Sequence, residues 1–88
     1  MANFTDEELG IFYKLWRRKC FGKGHMLIDN VVDGFPTKIQ NTARDGVQSL
    51  IKKGYLGQKP TKHGMAVYIN LDFKKVIYKE IKKKYPFV

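Results

Sequence analysis

The chain has 88 residues, of which 43% are hydrophobic and 14% aromatic, so it is long enough for one small packed domain and unlike a disordered tail protein. Its 17 Lys and Arg residues face eight Asp and Glu residues, and the formal net charge of +9 indicates a polyanionic partner, either nucleic acid or an acidic membrane surface. The single cysteine, Cys20, excludes an internal disulfide and a multi-cysteine metal site, and no apolar run approaches the roughly 18 residues of a membrane span.

The positive charge lies mostly in the second half of the chain. Residues 50–88 carry ten Lys against two acidic residues, whereas residues 1–34 are balanced, with five basic and five acidic groups. The N-terminus lacks the basic start and apolar stretch of a secretory signal, so we expect a cytoplasmic protein.

The first predicted element is a helix over residues 5–20. Thr5 and Glu8 form a capping box that marks its start, and apolar residues at helical spacing define its core face. Ile11 and Leu15 lie on the other side. This second apolar side needs a cover of its own, either the C-terminal helix of the same chain or a second copy of the chain. The predicted core face consists of Leu9, Phe12, Tyr13, Trp16 and Cys20.

Two helices and a break follow. Residues 25–28 fit either a small strand or the entry to a helix over residues 28–34, which the Gly-Phe-Pro segment 34–36 interrupts. A third helix is predicted over residues 37–53, and Gly54 ends it. The apolar stripe of this third helix comprises Ile39, Ala43, Val47, Leu50 and Ile51.

A hairpin and a last helix complete the chain. The hairpin is predicted over residues 55–71 with its turn at 60–64, and the helix over residues 72–85, with Asn70 or Asp72 as its cap. The inward positions of the second strand are Met65, Val67, Ile69 and Leu71. The apolar face of the last helix comprises Phe73, Val76, Ile77 and Ile81.

The sequence does not favour catalysis or metal binding. No catalytic triad, nucleotide-binding loop or metal signature can be assembled, so we expect no enzyme activity, no cofactor and no small-molecule ligand. Asp29 and Asp33 share a helix face, but such pairs are usually solvated surface. Cys20, His25 and His63 would meet at a zinc ion only by coincidence of folding.

The third helix carries side chains that can read DNA, because an α-helix fits the major groove. Asn41 and Gln48 can each bond adenine through two hydrogen bonds. Lys38 or Arg44 can bond guanine, while hairpin lysines can reach the flanking backbone or the minor groove. The predicted DNA-binding side chains are Lys38, Asn41, Thr42, Arg44, Gln48 and Lys52 on the helix, with Lys59, Lys62 and His63 on the hairpin.

The segment IDNVVDGFPTKIQNTARDGVQSLIKKGYL, residues 28–56, followed by GQKPTKHGMAVYIN, resembles the winged helix-turn-helix family of DNA-binding domains. It is most similar to small archaeal winged-helix proteins, and the resemblance covers about residues 5–71. It implies an α+β, mostly helical fold over residues 1–88, with a three-helix core, a two-stranded wing hairpin and an extra C-terminal helix. Residues 37–53 would be the recognition helix and residues 55–71 the wing. Lys greatly outnumbers Arg here, whereas the guanine-reading residue of such domains is usually Arg.

The resemblance also implies a homodimer on palindromic double-stranded DNA. We expect Ile11 and Leu15, with Ile77 and Ile81, to form an interface that spaces two recognition helices by about 34 Å, one turn of DNA. The favoured function is a sequence-specific transcriptional regulator. Nonspecific or architectural nucleic-acid binding and a winged-helix protein-interaction module remain as alternatives.

Overall fold

The computed structural model describes residues 4–88, which begin with the predicted capping box. The Thr5 hydroxyl accepts from the Glu8 backbone N–H at 3.1 Å, and the Thr5 backbone N–H donates to a Glu8 carboxylate oxygen at 2.9 Å. Helix α1, Asp6–Arg17, starts from this cap. The helix ends three residues before the predicted residue 20, because the backbone turns left-handed at Lys19, where φ is +55°.

The remaining elements follow the predicted order, with one more strand. Residues 26–27, left open by the sequence, form a strand that leads directly into a helix. Short 3₁₀ turns at Thr37–Ile39 and Leu71–Phe73 precede the last two helices, so both α-helices start later than predicted. The elements are β1 (Met26–Leu27), α2 (Ile28–Asp33), α3 (Gln40–Lys52), β2 (Leu56–Thr61), β3 (Gly64–Ile69) and α4 (Lys74–Lys84).

The three strands form one antiparallel sheet in the order β1-β3-β2. Pairing in the hairpin continues to Thr61 and Gly64, so the turn contains only Lys62 and His63 and is shorter than the predicted residues 60–64. Pro60 can belong to β2 because this strand is at the sheet edge, where a missing N–H costs no ladder bond. The result is a stiffer hairpin with a two-residue tip.

The core shows that the predicted dimer interface is wrong. Ile11, Leu15, Ile77 and Ile81 are each 0% exposed within a single chain. The Ile11 and Leu15 side of α1 is therefore covered within its own chain, with Ile11 next to Gly46 of α3, and these four side chains have no surface left for a second copy.

The predicted core faces of α1 and α4 are also partly wrong. Tyr13 and Trp16 are only half-buried, because they lie at the edge of the α1–α4 contact and stack on Tyr85 and Tyr78. Val76 is 43% exposed on the far side of α4. Leu9 is also only half-buried, and Met65 and Leu71 are exposed at or beyond the strand ends. The core consists mainly of aliphatic side chains from all four helices and from strands β2 and β3, together with Phe12 of α1.

No helix in the described residues is both long and apolar enough to cross a lipid bilayer.

Candidate nucleic-acid interface

Helix α3 has one buried face and one open polar face. Ala43, Val47 and Leu50 are fully buried and hold the helix to the core. Four exposed residues at helical spacing lie on the opposite side and are called here the α3 polar stripe: Asn41, Asp45, Gln48 and Lys52. Within residues 4–88 no side chain bonds to the stripe, so its donors and acceptors are available to a ligand.

Two more predicted residues flank this stripe. Thr42 is exposed on α3 itself, next to Asn41. Lys38 is exposed but lies in the 3₁₀ turn before α3, not in the α-helix that the sequence predicted from residue 37. Its side chain therefore extends the surface at the start of α3 instead of adding to the helical stripe.

Among the predicted base readers, Arg44 has a side-chain partner within residues 4–88. Its guanidinium Nη2 donates to the Asp29 carboxylate at 3.0 Å, which connects α3 to α2. The side chains are 49% and 74% exposed, and exposed pairs of this kind contribute only about 0–1 kcal/mol. The pair positions Arg44 beside α2, and a phosphate or a guanine could displace the carboxylate at little cost.

The tip of the hairpin, or wing, is braced by one hydroxyl. Thr61 Oγ1 donates to the Gly64 carbonyl at 2.7 Å and accepts from the His63 backbone N–H at 3.2 Å. Gly64 has φ +129°, a conformation open mainly to glycine. Lys62 and His63 are therefore presented on a fixed tip, and Lys59 is exposed on the β2 edge strand behind them.

The sequence reasoning missed a basic groove beside this tip. A surface depression of about 690 Å³ lies between the end of α1 and the hairpin, and its lining includes Lys14, Arg18, His25 and His63. Lys14 Nζ also donates to the Asn30 carbonyl at 2.6 Å. The four-residue spacing of Lys14 and Arg18 was a visible signal for a shared helix face. No signal in the sequence indicated that His63, which is distant along the chain, would line the same groove.

The cysteine shows no features of a reactive site. Cys20 is buried, and its Sγ donates weakly to the Arg18 carbonyl at 3.7 Å. Burial raises the pKa of this thiol above its ordinary value of 9.0, with a smaller opposing effect from the Arg18 charge. In the part of the chain that the structure describes, no three His, Cys, Asp or Glu residues come together as a metal-ligand group. Cys20, His25 and His63 all line the depression beside the hairpin tip, but they do not belong to any such group.

Comparisons of the chain with protein-family models, with curated proteins and with solved structures find no match. The function is therefore inferred from the geometry and chemistry of its own residues.

Proposed function

We propose that the chain is a winged-helix DNA-binding domain that acts as a sequence-specific transcriptional regulator, with α3 in the major groove and the wing on the flanking backbone. The observation that carries the proposal is the α3 polar stripe, which is exposed, free of internal partners and opposite a fully buried face. A helix anchored in this way can enter the groove, which is about 12 Å wide, without losing its core contacts.

The order of elements supports the same proposal. A short helix, a tight corner at Gly34-Phe35-Pro36 and a longer helix lead directly into a hairpin. The third strand, β1, extends the hairpin into a small sheet, and this α+β arrangement is compatible with the winged-helix class. The braced tip would place Lys62 near a phosphate while α3 lies in the groove.

The chemistry of the α3 polar stripe favours base reading over simple phosphate binding. Asn41 and Gln48 can each bond adenine through two hydrogen bonds. Asp45, between them, would repel phosphates but can accept a hydrogen bond from the cytosine amino group. A surface built only for phosphate would not have a carboxylate at its centre, so the stripe is better suited to base edges.

The nonspecific alternative also has a specific observation in its favour. Helix α4 carries six lysines and one acidic residue, and none of them belongs to α3 or the wing. Lysine-rich surfaces bind phosphates without regard to sequence.

The test measures base specificity directly. Purified protein is incubated with a pool of random duplexes, the retained DNA is sequenced, and affinities for the enriched site are measured by fluorescence anisotropy over a salt series. We expect Asn41→Ala and Gln48→Ala each to lose about 1–3 kcal/mol on the preferred site and to relax preference at one base position. Lys62→Ala should weaken all duplexes equally and lower the salt slope by about 1.

The contrast between these variants decides the proposal. If Gln48→Ala weakens all duplexes equally, as Lys62→Ala is expected to do, Gln48 does not read bases. A pool with no enriched motif would contradict sequence specificity and favour the nonspecific alternative. Homodimer formation stays a prediction, now without the four side chains first assigned to it, and an enriched motif that is palindromic would support it.

A further inference from the structure

The densest positive charge of the molecule is on α4, outside the proposed DNA-reading surface. The eleven residues Lys74–Lys84 hold six lysines and Glu80, a net charge of +5. The segment 37–69, which contains α3 and the wing, has the same net charge on three times as many residues. Reading DNA with α3 and the wing therefore leaves the net charge of +5 on α4 unexplained.

Three of these lysines form a line that faces away from the core. Lys75, Lys79 and Lys82 are exposed at helical spacing, while Ile77 and Ile81 on the opposite side are fully buried. These three residues are called here the α4 lysine stripe, and at 1.5 Å per residue it is about 10 Å long. Within residues 4–88 none of the three has an ion-pair partner, whereas the neighbouring Lys83 and Lys84 bond to Glu80 and Asp6.

The α4 lysine stripe and the α3 polar stripe lie on different sides of the molecule. On α1, Ile11 lies within contact distance of α3 at Gly46, and Trp16 stacks on Tyr78 of α4. Trp16 is five positions after Ile11, which corresponds to a rotation of about 140° around the helix at 3.6 residues per turn. Helix α1 thus separates α3 from α4, and one straight duplex cannot lie along both stripes.

The residues around the α4 lysine stripe favour phosphates as its ligand over unpaired bases or a lipid interface. The rings beside it are already occupied: Trp16 stacks on Tyr78 with centroids 5.1 Å apart, and Lys74 lies over Phe21 at 4.7 Å. They are therefore poor platforms for unpaired bases. Of the three aliphatic side chains on α4, the two isoleucines are buried in the core and Val76 is 43% exposed, and one half-exposed valine is too small an apolar surface to insert into a lipid interface.

We propose that the α4 lysine stripe binds the phosphate backbone of a second DNA duplex, so that one copy of the protein bridges two DNA segments. The proposal needs one duplex on α3 and the wing, whether or not that duplex is read base by base. It goes beyond a transcriptional regulator because it adds a DNA-looping or DNA-packing activity on a separate surface.

The test compares two variants that lose the same charge. Lys75→Gln with Lys79→Gln alters the α4 lysine stripe. Lys19→Gln with Lys23→Gln is the matched control, on exposed residues of the loop after α1. Gln has nearly the helix propensity of Lys, so α4 should stay folded, which circular dichroism checks. Energy transfer between a donor-labelled and an acceptor-labelled duplex reports bridging, and anisotropy with one duplex reports binding at the first surface.

We expect the wild type and the control to bridge, and the α4 variant to lose roughly 30-fold in affinity for the second duplex at about 0.15 M salt. This estimate assigns each lysine one phosphate and a 0.9-power dependence on salt relative to 1 M. Affinity for the first duplex should change little. Light scattering should give all three proteins the same mass, and a mass change confined to the α4 variant would reassign the stripe to self-association.

Other outcomes separate the two proposals. Bridging that depends on the α4 lysine stripe, without an enriched DNA motif, supports this inference and contradicts the sequence-specific regulator. An enriched motif without energy transfer does the reverse. Equal losses of bridging in both variants would mean that net charge alone matters and would overturn the inference. The inference would also be overturned if the protein floated with phosphatidylserine vesicles through the α4 lysine stripe but did not bridge duplexes. Failure to bind any duplex would overturn both proposals.

Discussion

Replacing Ile77 by Ala tests whether the α1–α4 contact belongs to the core of one chain. Ile77 is 0% exposed, and removing a buried aliphatic side chain to Ala costs about 2–5 kcal/mol. The better helix propensity of Ala recovers up to about 0.7 kcal/mol, so we expect a net loss of about 3 kcal/mol in the free energy of unfolding. For a domain of this size that loss lowers Tm by about 12–24 °C.

The control is Val76, the preceding residue on the same helix. Val76→Ala removes apolar atoms from a side chain that is 43% exposed, so its effect should stay within about 0.5 kcal/mol. Both variants and the wild type are unfolded in urea over about a hundredfold range of protein concentration, since a dimer would unfold at a concentration-dependent midpoint. Equal losses for Ile77→Ala and Val76→Ala would refute the assignment of Ile77 to the core of one chain. A wild-type midpoint that rises with concentration would show a dimer, and it would refute the assignment only if Ile77→Ala abolished that dependence while Val76→Ala kept it.

Two further predictions concern a close cross-strand contact and a buried ionisable group. A Cβ at Gly57 would overlap the ring of its cross-strand partner Tyr68, so Gly57→Ala should destabilise the protein by about 1–3 kcal/mol. In a protein that already carries Tyr68→Ala, Gly57→Ala should lower the thermal stability by less than it does in the wild type. An equal loss of stability in both backgrounds would show that the Tyr68 ring does not cause the destabilisation. Burial raises the pKa of the Cys20 thiol, so the unfolded thiol ionises first and the wild type should lose stability relative to Cys20→Ala as pH rises from 9 through the folded pKa. Parallel stability curves for the two proteins between neutral pH and pH 10 would show that Cys20 ionisation is not linked to folding.

Local signals were the part of the fold that the sequence predicted well. The capping box at Thr5 and Glu8 depends on residues three apart and is present. The cap at Asn70 is local as well, and its side chain accepts from the Asp72 N–H at 3.0 Å. It caps the 3₁₀ turn before α4, however, and not α4 itself as the sequence had predicted. The end of α1 was missed because the left-handed backbone that ends it falls at Lys19, where φ is +55°, and a lysine gives no sequence signal for that conformation.

The orientation of α1 could not be predicted, because both of its sides are apolar. Periodicity placed Trp16 in the core and Ile11 on a second face, and the structure buries Ile11 completely and leaves Trp16 at the edge. The choice depends on where α4 crosses, which is a tertiary property. An amphipathic indole suits a boundary position better than a branched aliphatic chain does, since its N–H can remain near water.

The same distinction applies to the candidate interface. The α3 polar stripe follows from the 3.6-residue period, because α3 has a single apolar side that anchors it, and its outward position was predicted. The Arg44–Asp29 pair joins residues fifteen apart on different helices, and the basic groove brings Lys14 to His63. These contacts between residues distant in sequence depend on how the helices and the hairpin pack together, and the spacing of residues along the chain does not predict that packing.

Screening decides whether the charge on α4 can assist a duplex bound to α3. Helix α1 lies between α3 and α4 and is about 10–12 Å across with its side chains, whereas the Debye length at physiological salt is about 8 Å. Lysines on the far side of α1 therefore contribute little to the first duplex at that ionic strength and act only on something that touches them. At 0.01 M salt, where the Debye length is about 30 Å, the same charges reach across the whole molecule. The Lys75→Gln, Lys79→Gln variant should accordingly weaken binding of a single duplex at low salt and leave it unchanged near 0.15 M. A loss that persisted at the higher salt would place the first duplex against α4 itself.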